Sequence, residues 1–99
     1  MSELNIEKEI QAKGLTAPRL TPAAITGTIK HTAYHVFGGT CLTVCCMTLQ
    51  NGFTVTGESA CASPQNFDAE IGKKIAFENA RDKIWALEGY LLKQKLSEA

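Results

Sequence analysis

Asn51-Gly52 sits between two runs of strand-forming residues, in the stretch TCLTVCCMTLQNGFTVTGESACASPQN at 40–66, and FDAEIGKKIAFENARDKIWALEGYLLKQKL follows at once. Asn-Gly flanked by alternating apolar residues is the strongest short-range signal for a tight β-hairpin. The second run is helical in pattern. Whatever else this chain does, it must lay a hairpin against a long C-terminal helix. The expected class is α+β: N-terminal helices, a small antiparallel hairpin at about 40–49 and 53–61, and a helix at about 66–96. Residues 1–14 read as an N-terminal helix or tail, and 15–99 as a single domain, the most that 99 residues permit.

A two-residue turn at Asn51-Gly52 pairs Gln50 with Phe53, Thr48 with Val55, Cys46 with Gly57 and Leu42 with Cys61. Side chains alternate faces along a strand, so Leu42, Val44, Cys46, Phe53, Val55 and Cys61 form the apolar face. Cys45, Met47 and Leu49 fall on a mixed face with Thr54, Thr56 and Glu58. In that register no two of Cys41, Cys45, Cys46 and Cys61 are placed for a disulfide, and none has C-x-x-C spacing for zinc. They read as small hydrophobes in a reduced compartment. Gly57 in mid-strand leaves room for a bulge or for the close approach of another backbone or a ligand.

Upstream, residues 2–13 form an amphipathic helix with Leu4, Ile6 and Ile10, ended by Gly14. The segment LTAPRLTP at 15–22 is extended, because a residue before proline avoids the α region. Thr21-Pro22 is an N-cap with proline at the first helical position, opening a helix to about His31 that carries Ile25 and Ile29. A first short strand is expected at 34–37, with a Gly38-Gly39 turn. In the last helix, which starts near Asp68 with a bend possible at Gly89, Ala76, Ala80, Ile84, Leu87 and Leu91 fall on one arc. Phe77, Trp85, Leu92 and Leu96 widen it, so the expectation is burial on two sides, one against the hairpin and one against a neighbouring subunit.

Charge narrows function. Ten basic and ten acidic residues cancel, which disfavours binding a nucleic-acid polymer nonspecifically, although Lys73, Lys74, Arg81 and Lys83 cluster. No apolar run reaches the roughly 18 residues of a membrane span, and the acidic, polar beginning is unlike a secretory signal. A cytoplasmic protein is expected. His31 and His35 lack a third metal ligand nearby in sequence. Glu58, Ser59 and Cys61 lack the base and elbow of a nucleophilic site. Gly38-Gly39-Thr40 is too short for a phosphate loop. No catalytic residue, metal or cofactor is assigned, and the chain is not expected to be an enzyme.

A binding site is the remaining possibility. Amides at the start of the long helix favour an anion. Asn66 and Phe67 lie there, and Lys73, Phe77 and Arg81 follow. An amide, aromatic rings and cations are what a nucleotide needs for its base edge, base face and phosphates. The alternative for these residues is an N-cap amide, core rings and solvated charges. Arg19, in an extended segment beside a helix start, is suited to clamp a phosphate or to stand as an ordinary surface residue.

APRLTPAAI (17–25), TCLTVCCMTLQNGFTVTGESAC (40–61) and NFDAEIGKKIAFENARDKIWALEGYLL (66–92) together resemble a widespread family of small tailed-phage and prophage proteins. That family looks like the phage anti-Thoeris sponges, which capture cyclic ADP-ribose isomers and, in some cases, cyclic oligonucleotides of CBASS immunity. The resemblance implies a homo-oligomer, hexamers among the expected states, that sequesters a cyclic nucleotide signal inside the infected bacterial host without degrading it. By the same resemblance Asn66, Phe67, Lys73, Phe77 and Arg81 are ligand contacts, and Arg19 and Thr21 suit a second site at an oligomer interface. Lys73 departs from the bidentate fork an arginine would offer there. The rival reading is a small phage protein that inhibits a host protein through the last helix.

Overall fold

The computed structural model describes residues 3–15 and 17–99. Ser2, in the expected first helix, and Thr16, in the expected extended segment, lie outside the described residues. In chain order the elements are α1 (Glu3–Ala12), α2 (Pro22–Gly27), β1 (Ile29–Val36), β2 (Thr43–Leu49), β3 (Thr54–Ser59), a single 3-10 turn (Pro64–Asn66) and α3 (Ala69–Glu98). The strands form one antiparallel sheet in the order β1-β2-β3. The class is α+β, with N-terminal helices and a long C-terminal helix as expected.

Local chemistry sets the boundaries. Gly14 takes a positive φ of 68° after α1, and its N–H donates to the Gln11 carbonyl at 3.0 Å. That is how a glycine satisfies orphan carbonyls at a helix end. Thr21 is the N-cap of α2, its Oγ1 accepting from Ala24 N–H at 3.1 Å, with Pro22 following. The 3-10 turn and then the Asp68 N-cap use both helix-start signals before α3, and the Asp68 side chain accepts from the Glu70 and Ile71 amides. Gly89 falls inside the continuous helix.

Two expectations change. The second helix stops at Gly27, and β1 begins at Ile29 instead of near Tyr34. Thr28 Oγ1 donates to the Ile25 carbonyl, closing a one-and-a-half-turn helix, and the following run of β-branched and aromatic residues favours a strand. Ile29 and His31 thus belong to the sheet. The hairpin register also moves by one. Leu49 N–H donates to the Phe53 carbonyl at 2.8 Å, and Gly52 N–H to the Leu49 carbonyl at 2.9 Å. The loop is Gln50-Asn51-Gly52, with Gly52 at φ 89° and Asn51 Oδ1 accepting from Phe53 N–H at 2.9 Å. This is the three-residue hairpin loop with glycine in the left-handed position.

A one-residue slip exchanges the faces of a strand. Thr48 therefore pairs with Thr54, Cys46 with Thr56 and Cys45 with Gly57. Cys45, Met47 and Leu49 of β2, with Val55 of β3, join Ile25, Ala76, Ala80 and Ile84 in the core. Val44 and Cys46, expected inside, lie on the opposite face and are half-buried.

Only part of the expected α3 stripe is buried. Ala76, Ala80 and Ile84 are fully covered, whereas Leu87, Leu91 and Leu96 are exposed. The 30-residue helix is about 45 Å long at 1.5 Å per residue. The seven residues of β2 span about 23 Å. The helix outruns the sheet.

Candidate functional site

The seven residues singled out by sequence fall into four places. Asn66 and Phe67 end the 3-10 turn, Asn66 exposed and Phe67 half-buried. Lys73 is exposed, with Nζ 5.6 Å from the centroid of the Tyr34 ring. Burial pushes the Tyr34 hydroxyl above its ordinary value. Phe77 and Arg81 share a cleft of about 560 Å³ with Glu3, Pro22 and Thr26. Arg19 and Thr21 line a separate hollow beside Gly14 and Leu15.

Arg81 is 8% exposed, and its guanidinium joins three elements. One nitrogen donates to Glu3 Oε2 at 2.6 Å, the other to the Pro22 carbonyl at 2.9 Å and to Thr26 Oγ1 at 3.1 Å. Trp85 Nε1 donates to the same Glu3 oxygen at 3.0 Å. Residues 77, 81 and 85 recur every four positions along α3, so ring, cation and indole N–H lie along one flank. The hydrogen bond from Arg81, aided by that from Trp85, holds the Glu3 carboxyl below its ordinary value of 4.5 against the opposing effect of burial.

Arg19 behaves likewise. Its two nitrogens meet the two oxygens of Glu7 at 2.6 and 2.8 Å, a bidentate fork. Their hydrogen bond lowers Glu7 and raises Arg19. Both arginines selected as anion receptors do hold anions, and both anions are carboxylates of α1. Thr21 spends its hydroxyl on the α2 cap.

The start of α3 is less available than the sequence suggests. Asp68 Oδ1 accepts from the Glu70 and Ile71 amides at 2.9 and 3.1 Å. The helix end already has a negative partner, so a further anion there would face that carboxylate. Among the described residues no group of three or more His, Cys, Asp or Glu side chains could hold a metal ion. No helix among them is long and apolar enough to cross a membrane.

Sequence reasoning missed Glu3, Thr26, Tyr34 and Trp85. The four-residue spacing from Phe77 through Arg81 was a visible signal for Trp85, which read instead as core. A second cavity, of about 730 Å³, contains none of the seven residues. Leu49, Phe53, Leu87, Tyr90 and Leu91 give it an apolar lining.

A phage protein family, described as the N4 Gp49/phage Sf6 gene 66 family, matches residues 20–96. The chain belongs to that family. The matched region takes in α2, the sheet and nearly all of α3, and with them Thr26, Phe77, Arg81 and Trp85. Glu3, Glu7 and Arg19 fall outside it, so the family region supplies the donors of the Arg81 cleft and α1 supplies the carboxylate. Searches of curated proteins and of solved structures return no match.

Proposed function

We propose that this member of the phage family is a non-catalytic binding protein that captures an anionic nucleotide. The ligand class is a cyclic nucleotide immune signal of the infected host, a cyclic ADP-ribose isomer or a cyclic oligonucleotide, held intact by a homo-oligomer. One observation carries the reading. Arg81 and Thr26 line one cleft with the Phe77 ring, and the Arg81 guanidinium and Trp85 indole N–H hold a carboxylate oxygen. A phosphate oxygen asks for the same charged and neutral donors, and the ring offers a face for a base. Glu3 then acts as the resident anion that a ligand displaces. Stoichiometric capture requires nanomolar affinity, roughly −12 kcal/mol.

Isothermal titration against cyclic ADP-ribose isomers and a panel of cyclic oligonucleotides tests this, with the ligand recovered by heating and checked for integrity. Nanomolar binding with unchanged ligand is expected. Phe77→Ala should weaken it about tenfold, and Glu3→Gln, which removes the competing charge, should tighten it. Arg81→Ala is a poor probe, because the buried guanidinium bonds α1, α2 and α3 together. Absence of binding across the panel sinks the reading.

The apolar cavity of Leu49, Phe53, Leu87, Tyr90 and Leu91 favours a second reading, inhibition of a host protein. Phe77, Trp85 and Leu92 on the same helix are all half-buried and do not form the patch for such a partner. A monomeric protein that binds no nucleotide, and loses a host partner on Leu91→Glu, would support it.

A further inference from the structure

The end of the β2–β3 ladder holds two cysteines that nucleotide capture does not use. Its last paired residues are Thr43 and Ser59, and two further steps in the same register set Cys41 opposite Cys61. The register expected from the sequence separates these residues; the three-residue loop brings them into line. Opposed residues of antiparallel strands have Cα atoms about 4.5–5.5 Å apart, inside the range of about 4.4–6.8 Å that a disulfide spans. Both are half-buried free thiols. Proximity to the Cys61 thiol, followed by burial, raises the Cys41 thiol above its ordinary value. Cys61 Sγ also donates to the Ser63 carbonyl at 3.3 Å. Cys45 is sealed in the core beneath α3, and Cys46 faces the other side of the sheet.

We propose that Cys41 and Cys61 form a dithiol site that closes to a cross-strand disulfide by exchange with a small-molecule disulfide such as oxidised glutathione. One thiol loses its proton to solvent, and its thiolate attacks a glutathione sulfur, breaking that S–S bond and releasing one glutathione thiolate. The second protein thiol, deprotonated in turn, attacks the protein sulfur of the mixed disulfide and releases the other. The protein loses two electrons and two protons; oxidised glutathione gains them as two reduced molecules. The raised Cys41 thiol makes this a slow exchange site, unlike the low-pKa cysteines that react first with peroxide. Closure ties the β1–β2 turn to the segment that leads through Pro64–Asn66 into α3. Excess thiol reverses it.

Disulfide mapping of the full chain tests the site. The protein is held with oxidised glutathione in mildly alkaline buffer, unfolded, alkylated without reduction and digested. Trypsin leaves all four cysteines in one peptide, 31–73, so cleavage after Glu58 is needed to separate Cys61. The expected product is Cys61 joined to Cys41, with Cys45 and Cys46 outside the bridge. Cys46→Ser should still bridge. Cys41→Ser and Cys61→Ser should each leave the remaining partner as a glutathione adduct, their folds checked by far-ultraviolet circular dichroism. The proposal fails if wild-type Cys41 and Cys61 emerge unbridged from a sample whose Cys46 carries glutathione. It fails equally if Cys61 is joined to Cys45 or Cys46. Both outcomes are read on the wild-type protein and do not depend on any variant folding.

Discussion

At Gly57 the missing side chain is what lets α3 lie on the sheet. A Cβ built there would collide with backbone atoms of Ala76, Asn79 and Ala80, and backbone cannot swing aside as a side chain tip can. Asn79 fixes the contact from the helix side, its Nδ2 donating to the Glu58 carbonyl at 2.8 Å. Gly57→Ala should therefore force helix and sheet apart and cost about 3 kcal/mol, the upper range for overpacking. Gly38→Ala is the control, since a Cβ there meets nothing within 4 Å. Urea unfolding monitored by circular dichroism compares the two. Equal midpoints for Gly57→Ala and wild type would show that the helix does not press on the strand as described. The close approach at Gly57 was legible in the sequence, because a strand-interior glycine packs nothing and so marks a contact. The pairing that placed it was not, because Asn-Gly serves two loop lengths and only the Leu49–Phe53 hydrogen bond decides between them.

Elements are held together here by different forces, and α1 is the one fastened mainly by charge. It buries no residue fully, with Leu4 66% exposed. Its attachments are Glu3 to Arg81 and Trp85, and Glu7 to Arg19. Glu78 and Asp82 line the same cleft as Glu3 and Glu7, adding negative charge that the arginines must outweigh. The carboxyls of Glu3 and Glu7 are held below their ordinary value of 4.5. Groups with depressed values stabilise the docked state above the undocked value, and that contribution is lost as pH falls through the docked one. Acidification below about 4.5 should thus release α1 before the sheet unfolds. Trp85, the single tryptophan, reports it through the indole N–H bonded to Glu3. Its emission should shift in acid while far-ultraviolet circular dichroism still shows the folded body, and Glu3→Gln should show the shifted emission already at neutral pH. An acid titration identical in wild type and Glu3→Gln would refute the latch. The sequence disclosed that Arg19 and Arg81 suited an anion. It did not disclose that α1 provides one, because contacts between residues 3 and 81 leave no mark in local periodicity.

The whole molecule measures 51 × 31 × 18 Å, and its long dimension comes from a helix that extends past the sheet it packs on. Leu87, Tyr90, Leu91 and Leu96 are carried on that extension, Tyr90 being 73% exposed. Phe53, at the hairpin tip, borders the same apolar cavity as Leu87, Tyr90 and Leu91. A long helix survives without a core beneath half of it only if propensity or a partner supports it, and a contiguous apolar surface of this kind is more often covered than bare. Self-association is the expected state. Light scattering at micromolar concentration should return a multiple of the chain mass, and Leu91→Glu, which puts a charge in the middle of the patch, should return the monomer with an unchanged circular dichroism spectrum. Nucleotide affinity measured on that variant then separates two arrangements. If capture falls with the oligomer, a neighbouring copy completes the Arg81 cleft; if it persists in the monomer, Arg81, Trp85 and Phe77 suffice within one chain. A wild-type protein that stays monomeric overturns self-association and leaves the apolar surface to a host partner.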